Sequence, residues 1–257
     1  MTFLAHPTFS ADALAPAWAA RLPVSAEVCL FGGAVRDACV GQPARDHDFL
    51  VAGATPDEMA AAGLTRAKHA FIERYTYADQ PLDEVMRSTF PGTPQASMTA
   101  MLWTRDLTVH ALGWDLKRQA WLDPTALGKA DLQARVFRMT TPEVADDPVV
   151  LLRWARLAVL FQPHGFTMDE ATWQRAVMQT QAQGFADCDI FRLNRQVKMI
   201  QASGVAPAVW GSLQAEGLQP HLAHLKALCL AFQQTKQAAR AADVAAGAPV
   251  ARPRAHR

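Results

Sequence analysis

The chain has 257 residues, of which 50% are hydrophobic and 19% are charged, a composition that excludes a disordered or low-complexity protein. Its 25 lysines and arginines nearly balance 24 acidic residues, so the formal charge is +1 and a polyanionic partner must be bound by a local basic surface. No apolar run approaches the roughly 18 residues of a membrane-spanning helix, and the four cysteines form no C-x-x-C pair. We therefore expect a cytoplasmic protein with reduced thiols and no structural zinc site.

The first half of the chain reads as alternating strands and helices. Residues 10–21 predict a short amphipathic helix, and 28–31 predict a strand that ends in a tight turn at Gly32 and Gly33. The elements predicted after this turn are a helix over 34–40, a strand over 46–51, a helix over 56–62, strand material over 68–89, a loop over 91–96, a strand through 107–111 and a turn over 116–120. This pattern predicts a mixed domain over 1–140.

The pattern changes to helical periodicity beyond residue 140. Asp147 is predicted to cap the first helix, with Pro148 at its first position. The helices predicted from there cover 149–161, 168–182, 190–203 and 206–232. From residue 233 the sequence is rich in Ala, Gly, Pro and Arg, which is typical of a partly disordered basic tail. We therefore predict a helical domain over 141–232 and a tail over 233–257.

The sharpest local motif is FGGAVRD, residues 31–37, at the predicted turn from strand to helix. Two glycines at such a turn let backbone N–H groups approach an anion that the helix N-terminus also attracts. Arg36 lies one helical turn further on, and its planar fork of N–H groups suits the oxygens of a triphosphate. The alternative is that Gly32 and Gly33 only close the turn and that Arg36 is a surface residue.

Two aspartates, Asp46 and Asp48, follow this motif in the segment RDHDFLV. Side chains at positions i and i+2 of a strand share a face, so the predicted strand turns both carboxylates to the same side. Like charges on one face repel each other unless a cation joins them. A pair of Mg²⁺ ions, held by these acids and by triphosphate oxygens, would activate an attacking hydroxyl and neutralise leaving pyrophosphate. The alternative is an acidic strand end that faces solvent.

Together these residues resemble the signature of the class II tRNA nucleotidyltransferase and bacterial poly(A) polymerase superfamily. The resemblance covers residues 28–65 and 102–232. The segments that carry it are GGAVRDACVGQPARDHDFLVAGATPDEM (32–59), RDLTVHAL (105–112), DPTALGKADLQARVFR (123–138) and DDPVVLLRWARLAVLF (146–161). It implies an α+β fold in which a polymerase-beta-like nucleotidyltransferase head, a small mixed sheet flanked by helices, precedes an all-helical neck that binds RNA.

The resemblance also implies roles for individual residues. Asp46 and Asp48 would bind catalytic Mg²⁺ ions, and Glu84 is the candidate third catalytic carboxylate, with Asp83 as the alternative. The residues implied in nucleotide binding are Gly32, Gly33, Arg36, Arg105, Asp106, Asp147, Arg153 and Arg156. A carboxylate and guanidinium groups on one helix can pair with the polar edge of a base and so replace a nucleic-acid template. Salt bridging within the fold is the alternative for the arginines beyond residue 100.

The chain departs from the family pattern in the base-reading region. The arginine position of the family motif glutamate-aspartate-x-x-arginine holds Val150, although Arg153 is present one turn further along. In the second motif Thr104 and His110 replace an arginine and an asparagine, and His110 is expected to be a packing or surface residue rather than a metal ligand. The segment from 87 to 105 is also short, and in this respect the chain resembles CC-adding enzymes. These changes leave the choice between CTP and ATP open.

The sequence therefore predicts a Mg²⁺-dependent, template-independent nucleotidyltransferase that uses CTP or ATP and adds CMP or AMP to an RNA 3′ end, above all that of a tRNA. Arg192, Arg195 and Lys198 are spaced by three residues on a predicted helix and are candidate phosphate contacts. One alternative is a related transferase with another nucleotide or acceptor, either poly(A)-type or acting on a small molecule. The other is a non-catalytic RNA-binding module. No membrane association is expected, and the oligomeric state is not predicted.

Overall fold

The computed structural model describes residues 9, 16–44, 46–67, 73–77 and 80–245. Contacts between residues divide the chain into two compact units. The first contains the residues up to 144 together with 161–172, and the second contains 145–160 and the residues from 173 onward. Within the described ranges, no helix is both long enough and apolar enough to span a bilayer.

In the described part of the first unit, a seven-stranded mixed sheet forms the centre. Its strands are β1 (Glu27–Phe31), β2 (Asp48–Ala52), β3 (Leu64–Arg66), β4 (Arg74–Tyr77), β5 (Gln80–Arg87), β6 (Gly113–Asp115) and β7 (Ala120–Leu122). Their order across the sheet is β3-β4-β5-β2-β1-β6-β7. β2 and β5 are parallel, whereas the other neighbouring pairs are antiparallel. The chain therefore crosses over between β2 and β5, and β3 and β4 lie within that crossover.

Helices accompany this sheet, and one of them starts at a complete capping box. The helices of this unit are α1 (Gly33–Cys39), α2 (Pro56–Ala61), α3 (Pro94–Trp103) and α4 (Gly128–Ala134). At the start of α2 the Thr55 hydroxyl accepts the Glu58 N–H while the Glu58 carboxylate accepts the Thr55 N–H, and Pro56 fills the first helical position. The predictions of a strand before Gly32, of a helix after it and of a helix from residue 56 are confirmed.

One core cluster of the first unit lies between the sheet and α3. Apolar residues two apart on β1, β2 and β5 share one face and form a buried cluster with side chains of α3. The strand members are Cys29, Phe31, Leu50, Ala52 and Met86, and the α3 members are Met98, Met101 and Leu102. Asp48 and Glu84 stand two residues before Leu50 and Met86, so they continue the same face beyond its apolar part.

The structure differs from the sequence prediction in two short segments, 16–21 and 91–96. Within the described residues, the segment 16–21 forms only a 3-10 helix over Ala19–Arg21, and 10–15 lie outside those residues. The predicted loop over 91–96 contains the start of α3. The Thr93 hydroxyl accepts the Ala96 N–H, and Pro94 suits the first helical position, so the local signal is that of a helix start.

The predicted strand through 107–111 is a 3-10 helix over Thr108–His110. Every residue from 107 to 111 is buried, so the alternation of apolar and polar residues does not mark a buried and an exposed face. The Thr108 hydroxyl donates to Asp131 Oδ2 at 2.7 Å, and His110 contacts Arg36. Because these polar side chains have hydrogen-bond partners inside the fold, their alternation with apolar residues does not indicate a strand with one solvent-facing side.

The second unit is helical. Its helices are α5 (Val149–Phe161, whose last residue groups with the first unit), α6 (Glu170–Gln183, which begins in the first unit), α7 (Ile190–Ala202), α8 (Ala206–Ala215) and α9 (Gln219–Ala245). Asp147 caps α5 as predicted, because its Oδ1 accepts the Val149 N–H at 3.1 Å. The short strands β8 (Val136–Phe137) and β9 (Thr167–Met168) pair in the first unit.

The predicted helix over 206–232 is two helices, and the chain between them is a Schellman turn. Gly217 has a φ of +75°, the Leu218 N–H donates to the Leu213 carbonyl, and the Gly217 N–H donates to the Gln214 carbonyl. α9 then runs to Ala245, so residues 233–245 are helical although their composition predicts part of a disordered tail. Alanine has the highest helix propensity, which explains the continuation. Residues 246–257 lie outside the described residues.

Candidate active site

The turn between β1 and α1 is built around Gly32. Its φ of +73° lies in the region that favours glycine. Its N–H donates to the Leu112 carbonyl and its carbonyl accepts the Arg36 N–H, both at 3.2 Å, so Gly32 is bonded within the fold. Gly33 is the first residue of α1, where backbone N–H groups have no partner inside the helix. The N–H groups expected to bind an anion are therefore those of the first turn of α1, and not that of Gly32.

Asp48 is the first residue of β2, and Asp46 lies in the bend before the strand. The predicted strand start at residue 46 is wrong by two residues, so strand alternation does not fix the direction of the Asp46 carboxylate. Asp46 is exposed, and it lies close enough to Asp37 for its charge to affect the pKa of the Asp37 carboxyl. Burial raises the pKa of the Asp37 carboxyl, the Arg36 charge opposes this rise, and the Asp46 charge adds to it.

Glu84 is brought beside Asp48 by the parallel pairing of β2 and β5. The two residues are register partners, as are Leu50 and Met86. Paired residues on neighbouring strands point to the same face, so both carboxylates stand on the face whose apolar part α3 covers. The register pairs Asp48 with Glu84 and not with Asp83. Glu84 also accepts a hydrogen bond from Arg74 Nη1 at 3.2 Å.

Phe31 and Arg105 lie at the same end of the sheet. Phe31 ends β1 and is the antiparallel register partner of Asp48. The Arg105 guanidinium stacks on the Phe31 ring, with its Cζ 5.5 Å from the ring centroid. Arg105, a predicted nucleotide-binding residue, is thus fixed beside the edge that carries Asp48. A guanidinium in this position can attract phosphate oxygens to the carboxylate edge.

Arg36 is buried, and its guanidinium contacts Asp37, His110 and Phe161. Nε and Nη2 donate to Asp37 Oδ1 at 2.9 and 2.8 Å, and Nη1 lies 2.7 Å from His110 Nε2. The Arg36 Cζ is 4.0 Å from the centroid of the Phe161 ring. His110 also contacts Asp106, with its Nδ1 3.1 Å from Oδ1. Arg36 and Asp106, both predicted to bind nucleotide, therefore belong to one network.

The carboxylates of this edge suit a metal ion that is shared with a substrate. Mg²⁺ in phosphoryl-transfer sites is usually held by one or two carboxylates together with substrate phosphates. Asp48 and Glu84 form such a pair on one face, and Asp46 precedes Asp48 by two residues. No group of three or more His, Cys, Asp or Glu side chains forms a complete metal site among the residues that the structure describes. The donor set thus fits Mg²⁺ bound with a nucleotide, rather than an ion that the protein holds alone.

The second unit carries the residues predicted to read the base. Asp147 caps α5 and forms an ion pair with Arg192, in which Nη2 and Oδ2 are 2.5 Å apart. Val150 is buried in the first turn of α5. Arg153 and Arg156 are half-buried further along the helix. Their spacing of three residues from Val150 and from each other places all three on neighbouring positions of α5.

Solved structures share this fold. A CCA-adding enzyme in complex with CTP matches with a TM-score of 0.65 and 21% identity, covering 77% of this chain and 49% of that one. The Thermotoga maritima CCA-adding enzyme complexed with tRNA-CCA matches with a TM-score of 0.61 and 18% identity, covering 82% and 51%. The predicted α+β fold is confirmed: a mixed-sheet nucleotidyltransferase head and a helical neck, as in these neighbours.

Curated relatives point the same way at higher identity, although no protein-family model matches the chain. It is 37% identical over 158 residues to the multifunctional CCA protein of Azoarcus sp. (strain BH72) and 36% identical over 161 residues to that of Thioalkalivibrio sulfidiphilus (strain HL-EbGR7). Over the aligned residues the chain is similar to these multifunctional CCA proteins. The alignments cover 57% and 58% of this chain, which spans 38% of the length of each relative.

Three residues that contact the candidate site are not indicated by the sequence as parts of it. His110 stands where the family pattern has an asparagine, and that departure is the available signal. Arg74 lies between the two stretches that resemble the family, so no motif indicates it. Phe161 ends the helix of the last family segment and follows the pattern of a core residue. Their roles depend on contacts between distant segments, which motif spacing does not report.

Proposed function

We propose that this chain is a Mg²⁺-dependent, template-independent nucleotidyltransferase that adds CMP or AMP to the 3′ end of an RNA, with tRNA as the acceptor. The register of Asp48 with Glu84, beside the β1–α1 turn, is the observation that carries the proposal. It supports the proposal because two carboxylates that could bind a metal ion lie next to a turn suited to phosphates. The relatives named multifunctional CCA proteins support the reaction, and solved CCA-adding enzymes with CTP and with tRNA support the substrates.

In this reaction the terminal RNA hydroxyl attacks the α-phosphorus of the nucleotide, a new P–O bond forms and pyrophosphate leaves. Asp46 and Asp48 would hold Mg²⁺, which activates the hydroxyl and neutralises charge on the pyrophosphate. Glu84 keeps a third carboxylate at the same edge, where it can share in metal binding or accept the proton of the hydroxyl. The other residues of the head act by positioning the nucleotide.

The triphosphate would lie at the first turn of α1. No described atom lies within 4 Å of the point where a Cβ on Gly32 would stand, so the approach to the turn is open. The N–H groups of the first turn, including that of Gly33, attract phosphate oxygens. Arg36, on α1, and Arg105, which contacts Phe31 at the end of β1, add positive charge to this region.

The base would be read by Asp147, Arg153 and Arg156, with Asp106 among the nucleotide-binding residues of the head. Val150 supplies apolar surface where the family pattern has a guanidinium. The Asp147 carboxylate is also paired with Arg192, and a base must compete with that pairing. We therefore propose that this chain does not follow the strict order in which C, C and A are added. The second candidate function is a transferase that uses another nucleotide or acceptor.

The RNA would be held by phosphate contacts on α7. Arg192, Arg195 and Lys198 are exposed, and their spacing of three residues gives them neighbouring positions on the helix. Arg192 is engaged by Asp147, so Arg195 and Lys198 are the better candidates for phosphates. Because the formal charge of the chain is +1, such a local pair matters more than the overall charge.

The test is incorporation of labelled CTP or ATP, with Mg²⁺, into tRNA transcripts that end before CCA, after CC or after the complete CCA. We expect the full chain to extend an incomplete tRNA and the double variant Asp46→Ala, Asp48→Ala to lose incorporation. Asp187→Ala removes an exposed carboxylate outside the candidate site and is the matched control. Incorporation that survives in the double variant contradicts the proposal. Transfer only to unrelated RNA supports the second candidate, and tRNA binding without transfer supports a non-catalytic module.

A further inference from the structure

A chain of polar contacts, buried at its centre, runs from Asp106 through His110 and Arg36 to Asp37. His110 is 2% exposed and Arg36 is 7% exposed. His110 Nδ1 lies 3.1 Å from Asp106 Oδ1, and His110 Nε2 lies 2.7 Å from Arg36 Nη1. At its other end the Arg36 guanidinium donates to Asp37 at 2.9 and 2.8 Å. The imidazole therefore joins two residues that the sequence assigns to nucleotide binding.

These contacts define which ring nitrogen of His110 carries the proton. A guanidinium has N–H donors and no acceptor, so the contact with Arg36 Nη1 requires His110 Nε2 to accept with its lone pair. Nδ1 then carries the hydrogen and donates to Asp106 Oδ1. The other tautomer, or a doubly protonated ring, would set an N–H of the imidazole against an N–H of Arg36. The geometry thus requires a neutral His110 with its hydrogen on Nδ1.

The same contacts lay Arg36 along α1. A Cβ built on Gly33 would stand 3.5 Å from Arg36 Nη2, so the guanidinium reaches back to the first turn of the helix. The Phe161 ring covers the guanidinium plane, and Asp37 holds its Nε edge. His110 supplies the contact at Nη1. The position of His110 therefore sets the orientation of the Arg36 guanidinium relative to the first turn of α1.

We propose that His110 is a positioning residue that orients the Arg36 guanidinium at the first turn of α1 for the phosphates of a nucleotide. The proposal rests on the proposed function, since it takes Arg36 to bind the triphosphate. Asp106 fixes the imidazole tautomer, and the imidazole in turn fixes Nη1 of Arg36. A guanidinium that is already oriented loses less freedom when the nucleotide binds, so removal of His110 lowers nucleotide affinity.

Two amide side chains of different length separate this role from simple packing. The amide of glutamine reaches about as far as an imidazole Nε2, whereas that of asparagine ends near the position of Nδ1. His110→Gln can therefore still accept the Arg36 N–H. His110→Asn can contact Asp106 but does not reach Arg36, and His110→Phe keeps an aromatic ring and removes both hydrogen bonds.

The first measurement is the Kd of CTP and of ATP, with Mg²⁺, for the full chain and the three variants. We expect the Kd to rise about five- to tenfold for His110→Asn and His110→Phe, because the Arg36 side chain must then be ordered when the nucleotide binds, and to stay within about twofold for His110→Gln. In incorporation assays KM should change more than kcat, because the hydrogen bond to Arg36 acts on nucleotide binding, before the reaction. An equal Kd for the Gln and Asn variants, or Kd changes that only follow a loss of Tm, would overturn the proposal.

The second measurement needs no variant. Ring-nitrogen NMR of the full chain labelled with ¹⁵N-histidine should show His110 with its hydrogen on Nδ1 at neutral pH. A ring protonated at Nε2 overturns the proposal even if every variant fails to fold. A chain that binds CTP but transfers nothing contradicts the proposed function while the Kd comparison still decides the role of His110. A chain that binds neither CTP nor ATP contradicts both.

Discussion

Glu84 has two partners of opposite character. Its strand register sets it beside the Asp48 carboxylate, and Arg74 Nη1 lies 3.2 Å from its Oε2. The Arg74 charge offsets the repulsion between the two carboxylates when no cation is bound. A Mg²⁺ ion that joins the carboxylates must therefore compete with a resident cation. Arg74 is 30% exposed, so solvent weakens this competition without removing it.

We predict that Arg74→Met lowers the Mg²⁺ concentration that gives half-maximal nucleotide incorporation by about two- to fivefold, the range that a partly exposed ion pair supports. Titration of Mg²⁺ in the incorporation assay measures this change. Arg66→Met is the matched control, because Arg66 is on the neighbouring β3 and contacts Glu73 at 3.6 Å instead. An unchanged or higher Mg²⁺ requirement in Arg74→Met would argue against a metal ion at Glu84.

We predict that Val150→Arg changes the ratio of kcat/KM for CTP to that for ATP by about tenfold, since a well-placed guanidinium discriminates bases by about 1–3 kcal/mol. The reason is that Val150 occupies the first turn of α5, three residues before Arg153, where the family pattern has an arginine. Steady-state kinetics with both nucleotides measures the ratio. Val159→Arg, at a half-buried position of the same helix, controls for the added charge. Equal ratios in variant and parent would contradict this account of the base-reading surface.

Among the elements, β4 and β5 are joined by a charged pair at their ends. Arg87, the last residue of β5, donates to Glu73, just before β4, through Nε at 2.5 Å and Nη2 at 2.9 Å. Hydrogen bonds from Arg87 lower the pKa of Glu73 from 4.5 to about 2. A carboxyl whose folded-state pKa is lowered stabilises the fold above its unfolded-state pKa, and this contribution is lost as the pH falls from 4.5 toward 2.

We predict that Glu73→Gln lowers the free energy of unfolding by about 1–3 kcal/mol at pH 7, and that the difference from the parent falls by about half at pH 3. Denaturant unfolding at the two pH values measures both quantities. Arg66→Gln is the control, because this exposed cation lies 3.6 Å from the same carboxylate and should change stability little. A difference that is the same at both pH values would show that the pKa of Glu73 does not carry the effect.

The elements that the sequence predicts well are those with signals in neighbouring residues. β1 ends at a glycine pair, α2 starts with Thr55-Pro56 and Glu58, and α5 starts after Asp147. The sequence does not predict α3, because Pro91 and Gly92 suggest a loop and the Thr93 cap is weak by itself. The prediction of a strand through 107–111 is wrong, because the polar residues there are buried by bonds to Asp131 and Arg36 that sequence does not reveal.

At the scale of the whole molecule, the fold class and the similarity to CCA-adding enzymes are predictable from sequence, and the assembly of the site is only partly so. Asp48 and the glycine turn belong to one contiguous motif. Whether Glu84 or Asp83 lies beside Asp48 depends on the register of β2 and β5. The paired residues Asp48 and Glu84 are 36 positions apart in the sequence. Register of this kind is set by burial of a shared face, here by Leu50 and Met86, and single-residue slips reverse every side chain.

We predict that tRNA binding depends on a few local cations rather than on the charge of the whole chain, which is +1. The double variant Arg195→Ala, Lys198→Ala should reduce the slope of log K against log salt concentration by about 1.4–1.8, or about 0.7–0.9 for each phosphate that the protein no longer neutralises. Binding titrations at several salt concentrations measure the slope. Lys129→Ala, an exposed position in α4, is the control. An unchanged slope in the double variant would exclude these residues from the RNA interface.

The crossover between β2 and β5 also has a consequence for biosynthesis. Parallel strands cannot pair until the connecting chain has been made, so a polypeptide still emerging from the ribosome would carry Asp48 long before Glu84 could reach it. Such non-local pairing is slow compared with hairpin closure. If Asp48 and Glu84 bind a metal ion together, the pairing of β2 with β5 is the earliest stage of synthesis at which this edge could take up that ion.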